Sequence, residues 1–180
     1  MIVGKLRGFD PRAIGSGNVG MTNVARAGGA GAAAATLAGD LCKGLIPVLF
    51  ARSVVGVVPP ALAEVGFATF VGSIASIFLG FKGGRGVATS LGVWLALAPV
   101  ALTIAFAIFI AMLAVSRIVS LASLAAAASL PAVAAATHSP RPYILLAIVM
   151  SALVVLRHRA NIERLLAGEE PRIGGTRKGQ

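Results

Sequence analysis

A single cysteine, Cys42, excludes a disulfide-stapled scaffold and a zinc ribbon, both of which need more than one thiol. Formal charge is scarce as well. Asp, Glu, Lys and Arg make up 12% of the 180 residues, where a soluble domain carries about 25%. So few polar groups cannot cover a globular surface in water. Acids are the scarcest, six against sixteen Lys and Arg, which leaves a net charge of +10. That excess does not read as a nucleic-acid face, because the aromatic residues that would interleave with it are missing: Trp94 and Tyr143 lie inside or beside apolar runs. Ligands for a metal are lacking too, with no carboxylate cluster and no His/Cys spacing, and no cofactor is expected. The opening Met1–Arg12 is mixed and basic rather than a secretory leader.

What is present is apolar sequence. Hydrophobic residues make up 57% of the chain, and mean hydropathy is +0.91, which also excludes disorder. Residues 86–116 and 118–137 contain no formal charge, with Arg85 and Arg117 just outside them, and 65–81 and 142–156 add shorter clean runs. One membrane span takes about 20 mostly apolar residues. The expected fold is therefore all-α, a polytopic membrane helix bundle forming one domain over 1–180, with six helices at roughly 27–51, 61–79, 87–98, 100–116, 119–137 and 143–156. Residues 1–26 read as a loop, Pro99 divides the long uncharged run, and Pro131 reads as a kink.

Charge orients this bundle. With the loops at 1–26, 80–86, 117 and 157–180 in the cytoplasm, thirteen basic residues lie inside: Lys5, Arg7, Arg12, Arg26, Lys82, Arg85, Arg117, Arg157, Arg159, Arg164, Arg172, Arg177 and Lys178. Only Arg52 and Arg141 fall outside, and Lys43 sits in a span, at i+3 from Asp40 as a salt-bridge pair. The reverse orientation opposes the positive-inside bias.

Three polar segments then gather on the cytoplasmic side. In Gly15–Asn23, small residues let backbone N–H groups approach an anion. Ser16, Asn18, Thr22 and Asn23 add side-chain donors, and Arg26 offers a fork suited to phosphate. No Gly-Lys-Ser/Thr closes the loop, so it is not a Walker loop. In the second segment, Phe81–Thr89, Lys82 and Arg85 flank Gly83 and Gly84, and Gly86 opens an apolar helix. The third, Arg157–Gly168, would put His158 and Asn161 on one helical face, with Ile162, Leu165 and Leu166 as an apolar stripe.

Together, GSGNVGMTNVAR (15–26), FKGGRGVAT (81–89) and RHRANIERLLAG (157–168) resemble the bacterial acyl-phosphate:glycerol-3-phosphate acyltransferase family, with lesser echoes in GDLCKG (39–44) and SRIVSLASL (116–124). The resemblance implies a seven-helix enzyme of the bacterial inner membrane with its active site toward the cytoplasm. It would transfer a fatty acyl group from acyl phosphate to glycerol-3-phosphate, giving 1-acylglycerol 3-phosphate and phosphate. It assigns Ser16 and Arg26 to the functional positions of the first motif, and Gly83, Gly84 and Gly86, with Arg85, to the acyl-phosphate pocket. His158 and Asn161 become a substrate-contacting pair. Membrane lipid and the enzyme that makes acyl phosphate are further implied partners.

Three departures accompany it. The family begins with another helix, and this sequence starts just past the end of it, at Met1-Ile-Val-Gly-Lys5. Gly72-Ser73-Ile74-Ala75-Ser76 stands where the family has Gly-His-x-x-Pro, and Arg85 stands where it has Lys. The expected chemistry is direct attack by the glycerol hydroxyl on the acyl carbon, with Arg26, Arg85 and Lys82 holding the phosphates. Either a substrate phosphate or His158 takes the proton. The rival readings are a small organic-phosphate transporter, which predicts midplane polar groups and an internal repeat, and a structural membrane protein, which leaves all three motifs idle.

Overall fold

A computed structural model describes residues 1–174, and the described residues are helical with no strand. Arg177 and Lys178, assigned from the charge pattern to the cytoplasmic side, lie outside the described residues. The order is α1 (Ile2–Leu6), a 3-10 turn (Pro11–Ala13), α2 (Met21–Val55), α3 (Pro59–Ile74), a second 3-10 turn (Ile77–Leu79), α4 (Val87–Leu97), α5 (Pro99–Ser116), α6 (Val119–Ala136), α7 (Arg141–Arg157) and α8 (Arg159–Leu166). All six expected apolar helices are present. Proline opens α3, α5 and α7, at Pro59, Pro99 and Pro142, where the missing N–H costs nothing.

The first 26 residues are not simply a loop, which corrects the reading from composition. Helix α2 begins at Met21 and is interrupted at Gly29, whose φ of 75° and ψ of −176° are not helical. The Ala/Gly run that masks a helix start in sequence thus hides a break within the helix. Four helices are individually long and apolar enough to cross a membrane: Met21–Val55, Pro59–Leu79, Pro99–Ser116 and Val119–Ala136. A fifth candidate joins α7 to α8 through a 61° bend. At eleven residues, α4 is about 17 Å long, shorter than a hydrocarbon core of about 30 Å.

The chain divides into two compact units, Met1–Leu97 and Ala98 onward. In the first, α2 packs on α3 and α4, and α3 on α4. The α2–α4 crossing is closest at a reciprocal glycine pair. A Cβ at Gly44 would strike Thr89 O and lie 2.8 Å from Val93 N, and one at Gly92 would strike Leu41 O and lie 2.7 Å from Leu45 N. Glycine at both positions lets the two backbones touch, as small residues do between membrane helices. Phe70, Val48, Val93 and Trp94 fill this unit's core. Asp40 and Lys43 form the expected i,i+3 pair at 2.7 Å. In the second unit α6 packs between α5 and α7, with Ala122, Ala134, Ala147 and Met150 buried.

Candidate functional site

In the first unit residues 15–20 form a loop braced by one side chain from the first turn of α2. Asn23, 2% exposed, donates through Nδ2 to the carbonyls of Pro11 (2.7 Å), Ile14 (2.9 Å) and Asn18 (2.9 Å), and its Oδ1 accepts from the Ser16 N–H at 3.0 Å. Two N–H bonds shared among three carbonyls leave the amide committed to the loop. Asn23 therefore shapes the loop from which a substrate contact at this position would be made. Gly15 must be glycine here: its φ is +59°, and a Cβ would stand 2.6 Å from Asn23 Oδ1. Asn18 Oδ1 caps the turn by accepting from the Gly20 N–H at 2.9 Å. Ser16 and Arg26 are exposed and Thr22 is half-buried in the first turn of α2. The Arg26 stem passes 3.9 Å from the Cβ position of Gly15, which places that side chain against the same loop. Outside the spans, Asp10 accepts hydrogen bonds from the Arg12 side chain and backbone, which hold its carboxyl down at about 2.

The second segment meets the first. The Cβ position of Gly84 lies 3.8 Å from both Asn18 Oδ1 and Val19 Cγ2, so the two glycine loops adjoin within one unit. Their glycines differ in kind. Gly83 is pressed against the Ser73 and Ile74 carbonyls at the end of α3, and Gly86, at φ +80°, against Phe70 and Ile74. A Cβ at Gly84 would meet nothing closer than ordinary van der Waals contact. Ser73, one of the departures noted in sequence, supplies the floor beneath Gly83 through its backbone oxygen, while its hydroxyl donates to Phe70 O at 2.7 Å. The preceding turn is tight, with Gly80 and Phe81 both left-handed and Phe81 N–H bonded to Ser76 O at 2.9 Å. Lys82 is exposed and Arg85 half-buried.

In the second unit the third segment is not one helix. His158 ends α7 and precedes α8, at the 61° bend. His158 and Asn161 are nonetheless coupled: the Asn161 N–H donates to the His158 carbonyl at 2.8 Å, and both residues are buried, at 1% and 2% exposed. His158 Nδ1 lies 2.8 Å from Val154 O. A carbonyl only accepts, so Nδ1 carries the hydrogen of this contact.

Three residues absent from the sequence reading of the site complete this cluster: Ser120, Arg164 and Glu170. Glu170 accepts from Ser120 Oγ (2.7 Å), Asn161 Nδ2 and Arg164 Nε (2.7 Å). Burial pushes its carboxyl up, but the hydrogen bonds from Ser120, Asn161 and Arg164 outweigh that and hold it below the ordinary value. Next to it, the Ile173 N–H bonds the Arg117 carbonyl at 2.8 Å, which draws the segment after α8 back to the α5–α6 turn. One signal in the sequence pointed this way: Glu170 is one of only six acids and lies in a basic tail.

Comparison with known proteins gives this arrangement a context. Residues 1–168 match the family model described as glycerol-3-phosphate acyltransferase. A glycerol-3-phosphate acyltransferase of Geobacter sulfurreducens is 45% identical over 172 residues, covering 96% of this chain and 88% of the relative. One from Methylococcus capsulatus is 48% identical over 179 residues, covering 98% and 89%. Among solved structures, PlsY, an integral membrane glycerol 3-phosphate acyltransferase, superposes in its glycerol 3-phosphate form with a TM-score of 0.92 at 41% identity, covering 96% of this chain and 86% of that one. Its lysophosphatidic acid form gives 0.89 at 40% identity, covering 95% and 85%.

Proposed function

This chain belongs to the glycerol-3-phosphate acyltransferase family, and we propose that it acylates glycerol-3-phosphate from a fatty acyl phosphate at the cytoplasmic face of the bacterial inner membrane, acting as a single domain over 1–180. The observation that carries this reading is the meeting of two glycine loops in the first unit, with Asn18 beside Gly84 and Arg26 beside Gly15. Both substrates bear phosphate. Backbone N–H groups and fixed guanidinium or ammonium groups are the donors that phosphate selects.

In the reaction, the glycerol 1-hydroxyl forms an ester bond to the acyl carbon, and the bond from that carbon to the phosphate oxygen breaks. Inorganic phosphate leaves with the electron pair. The hydroxyl proton passes to a substrate phosphate or to His158. Lys82, Arg85 and the Gly83–Gly86 loop hold the acyl phosphate, and Arg26 binds the phosphate of the acceptor. Ser16, exposed on the loop that Asn23 shapes, orients a substrate through its hydroxyl, as Asn18 and Thr22 do at its flanks. His158 and Asn161 act as a substrate-contacting pair. No Ser-His-Asp arrangement accompanies Ser16 among the described residues, so transfer is direct, without an acyl-enzyme.

The donor is the sharpest part of this reading to test. Purified protein in detergent, given glycerol-3-phosphate, should form lysophosphatidate from acyl phosphate and not from acyl-CoA at equal concentration. The opposite preference would overturn the donor assignment. Ser16→Ala and Arg26→Ala should each lower turnover about a hundredfold or more, as loss of a transition-state donor does, while still inserting into membranes. Full activity in both would overturn the site.

A further inference from the structure

Glu170 lies beyond the three motif segments, yet it touches Ser120, Asn161 and Arg164 at once. Its side chain is 8% exposed and Arg164 is partly shielded at 34%. A carboxylate only accepts hydrogen bonds, so the contact from Asn161 must come from Nδ2, and that fixes which end of the amide faces the other way. The other end, Oδ1, is buried and has no hydrogen-bond partner among the described residues. Leaving such an acceptor unmatched forfeits its hydration without a replacement hydrogen bond, and persistent exceptions of this kind call for a functional explanation.

We infer that Glu170 is a positioning residue for Asn161, locking its amide so that Oδ1 is presented as an acceptor to a hydroxyl of glycerol-3-phosphate. This rests on the proposed acceptor substrate and deepens it. An unanchored amide would rotate by a half turn and offer Nδ2, which repels a hydroxyl hydrogen. Ser120 and Arg164 hold the carboxylate itself. Ser120 sets its Oε1 from the first turn of α6, and Arg164 sets its Oε2 from α8. The anchor thus ties α6, α8 and the segment after α8 to one amide orientation.

An exchange of the two groups provides the test. Asn161→Asp sets two carboxylates against each other, and Glu170→Gln lets the facing amides adopt either orientation. Each single variant should raise KM for glycerol-3-phosphate, lowering kcat/KM for it about tenfold or more, while KM for acyl phosphate stays within about twofold. When Asn161→Asp and Glu170→Gln are combined, the amide introduced at position 170 donates to the carboxylate introduced at position 161 and to Ser120, while its oxygen accepts from Arg164. An acceptor again faces the substrate, and about tenfold of the lost kcat/KM should return. Glu170→Gln should also have no further effect on kcat/KM in an Asn161→Ala background, because Glu170 acts through Asn161. Melting temperature in detergent is read for every variant. Failure of the double variant to recover, equal losses in the two backgrounds, or unfolding of all the variants would assign Glu170 to the scaffold and overturn the inference. An active wild type with a non-recovering exchange overturns this inference alone, whereas a wild type without turnover overturns the proposed reaction with it.

Discussion

At the residue scale, the glycines of the 81–89 segment separate by what a methyl group would meet. Gly83 and Gly86 are fixed by the end of α3, one through carbonyl contact and the other also through a left-handed backbone. Alanine at either should destabilise the protein by roughly 1–3 kcal/mol, seen as a lower melting temperature in detergent. Gly84 has room for a methyl within the protein itself. Gly84→Ala should therefore melt like the wild type, and a loss of turnover there would report on bound phosphate rather than on folding. A melting temperature depressed as far as that of Gly83→Ala would contradict this division. The sequence displays three glycines at suggestive spacing but not this difference, because the partners Ser73, Ile74 and Phe70 belong to another helix. Asn23 teaches the same lesson. Its type suggests a substrate donor, and only the carbonyls of Pro11, Ile14 and Asn18 around it reveal that its amide is already engaged.

At the scale of elements, all six apolar helices were legible, since uncharged length and proline punctuation are properties of the chain alone. Breaks and bends were less so. Gly29 interrupts α2 inside an Ala/Gly run with no charge or proline to mark it. The bend at His158 is invisible to a periodicity that continues smoothly across it. The close approach of α2 and α4 was likewise hidden, because Gly44 and Gly92 are far apart in sequence and each looks ordinary alone. Their backbones are in contact, so Gly44→Ala and Gly92→Ala should each cost roughly 1–3 kcal/mol. Combining them should cost less than the sum, since one forced separation serves both. Additive melting-temperature losses would argue against a shared crossing. The Glu170 contacts add a pH signature. Its folded value lies below its ordinary one, so the stability it contributes is present in full above the ordinary carboxylate range and is lost as pH falls through the folded value. The melting-temperature gap between wild type and Glu170→Gln should stay constant from pH 7 to about 5 and close in stronger acid. A gap that widens on acidification would contradict the assignment.

At the scale of the whole molecule, scarcity of charge established a membrane protein before any motif was considered, and the apolar helices agree with it. In the proposed reaction, Arg26, Lys82 and Arg85 hold the two phosphate-bearing substrates, and the positive-inside bias accounts for most of the remaining basic residues. Motif order carried the family, whereas the network around Glu170 emerged only once the segment after α8 was seen to return to the α5–α6 turn. The central claim is direct acyl transfer between those two substrates. Its most direct test follows lysophosphatidate and inorganic phosphate together, using purified wild-type protein in detergent with acyl phosphate and glycerol-3-phosphate. The two products should appear in equal amounts from the first turnover, with phosphate release dependent on glycerol-3-phosphate. A burst of phosphate without the acceptor, accompanied by acyl label on Ser16, would contradict direct transfer, and the absence of both products would contradict the reaction itself.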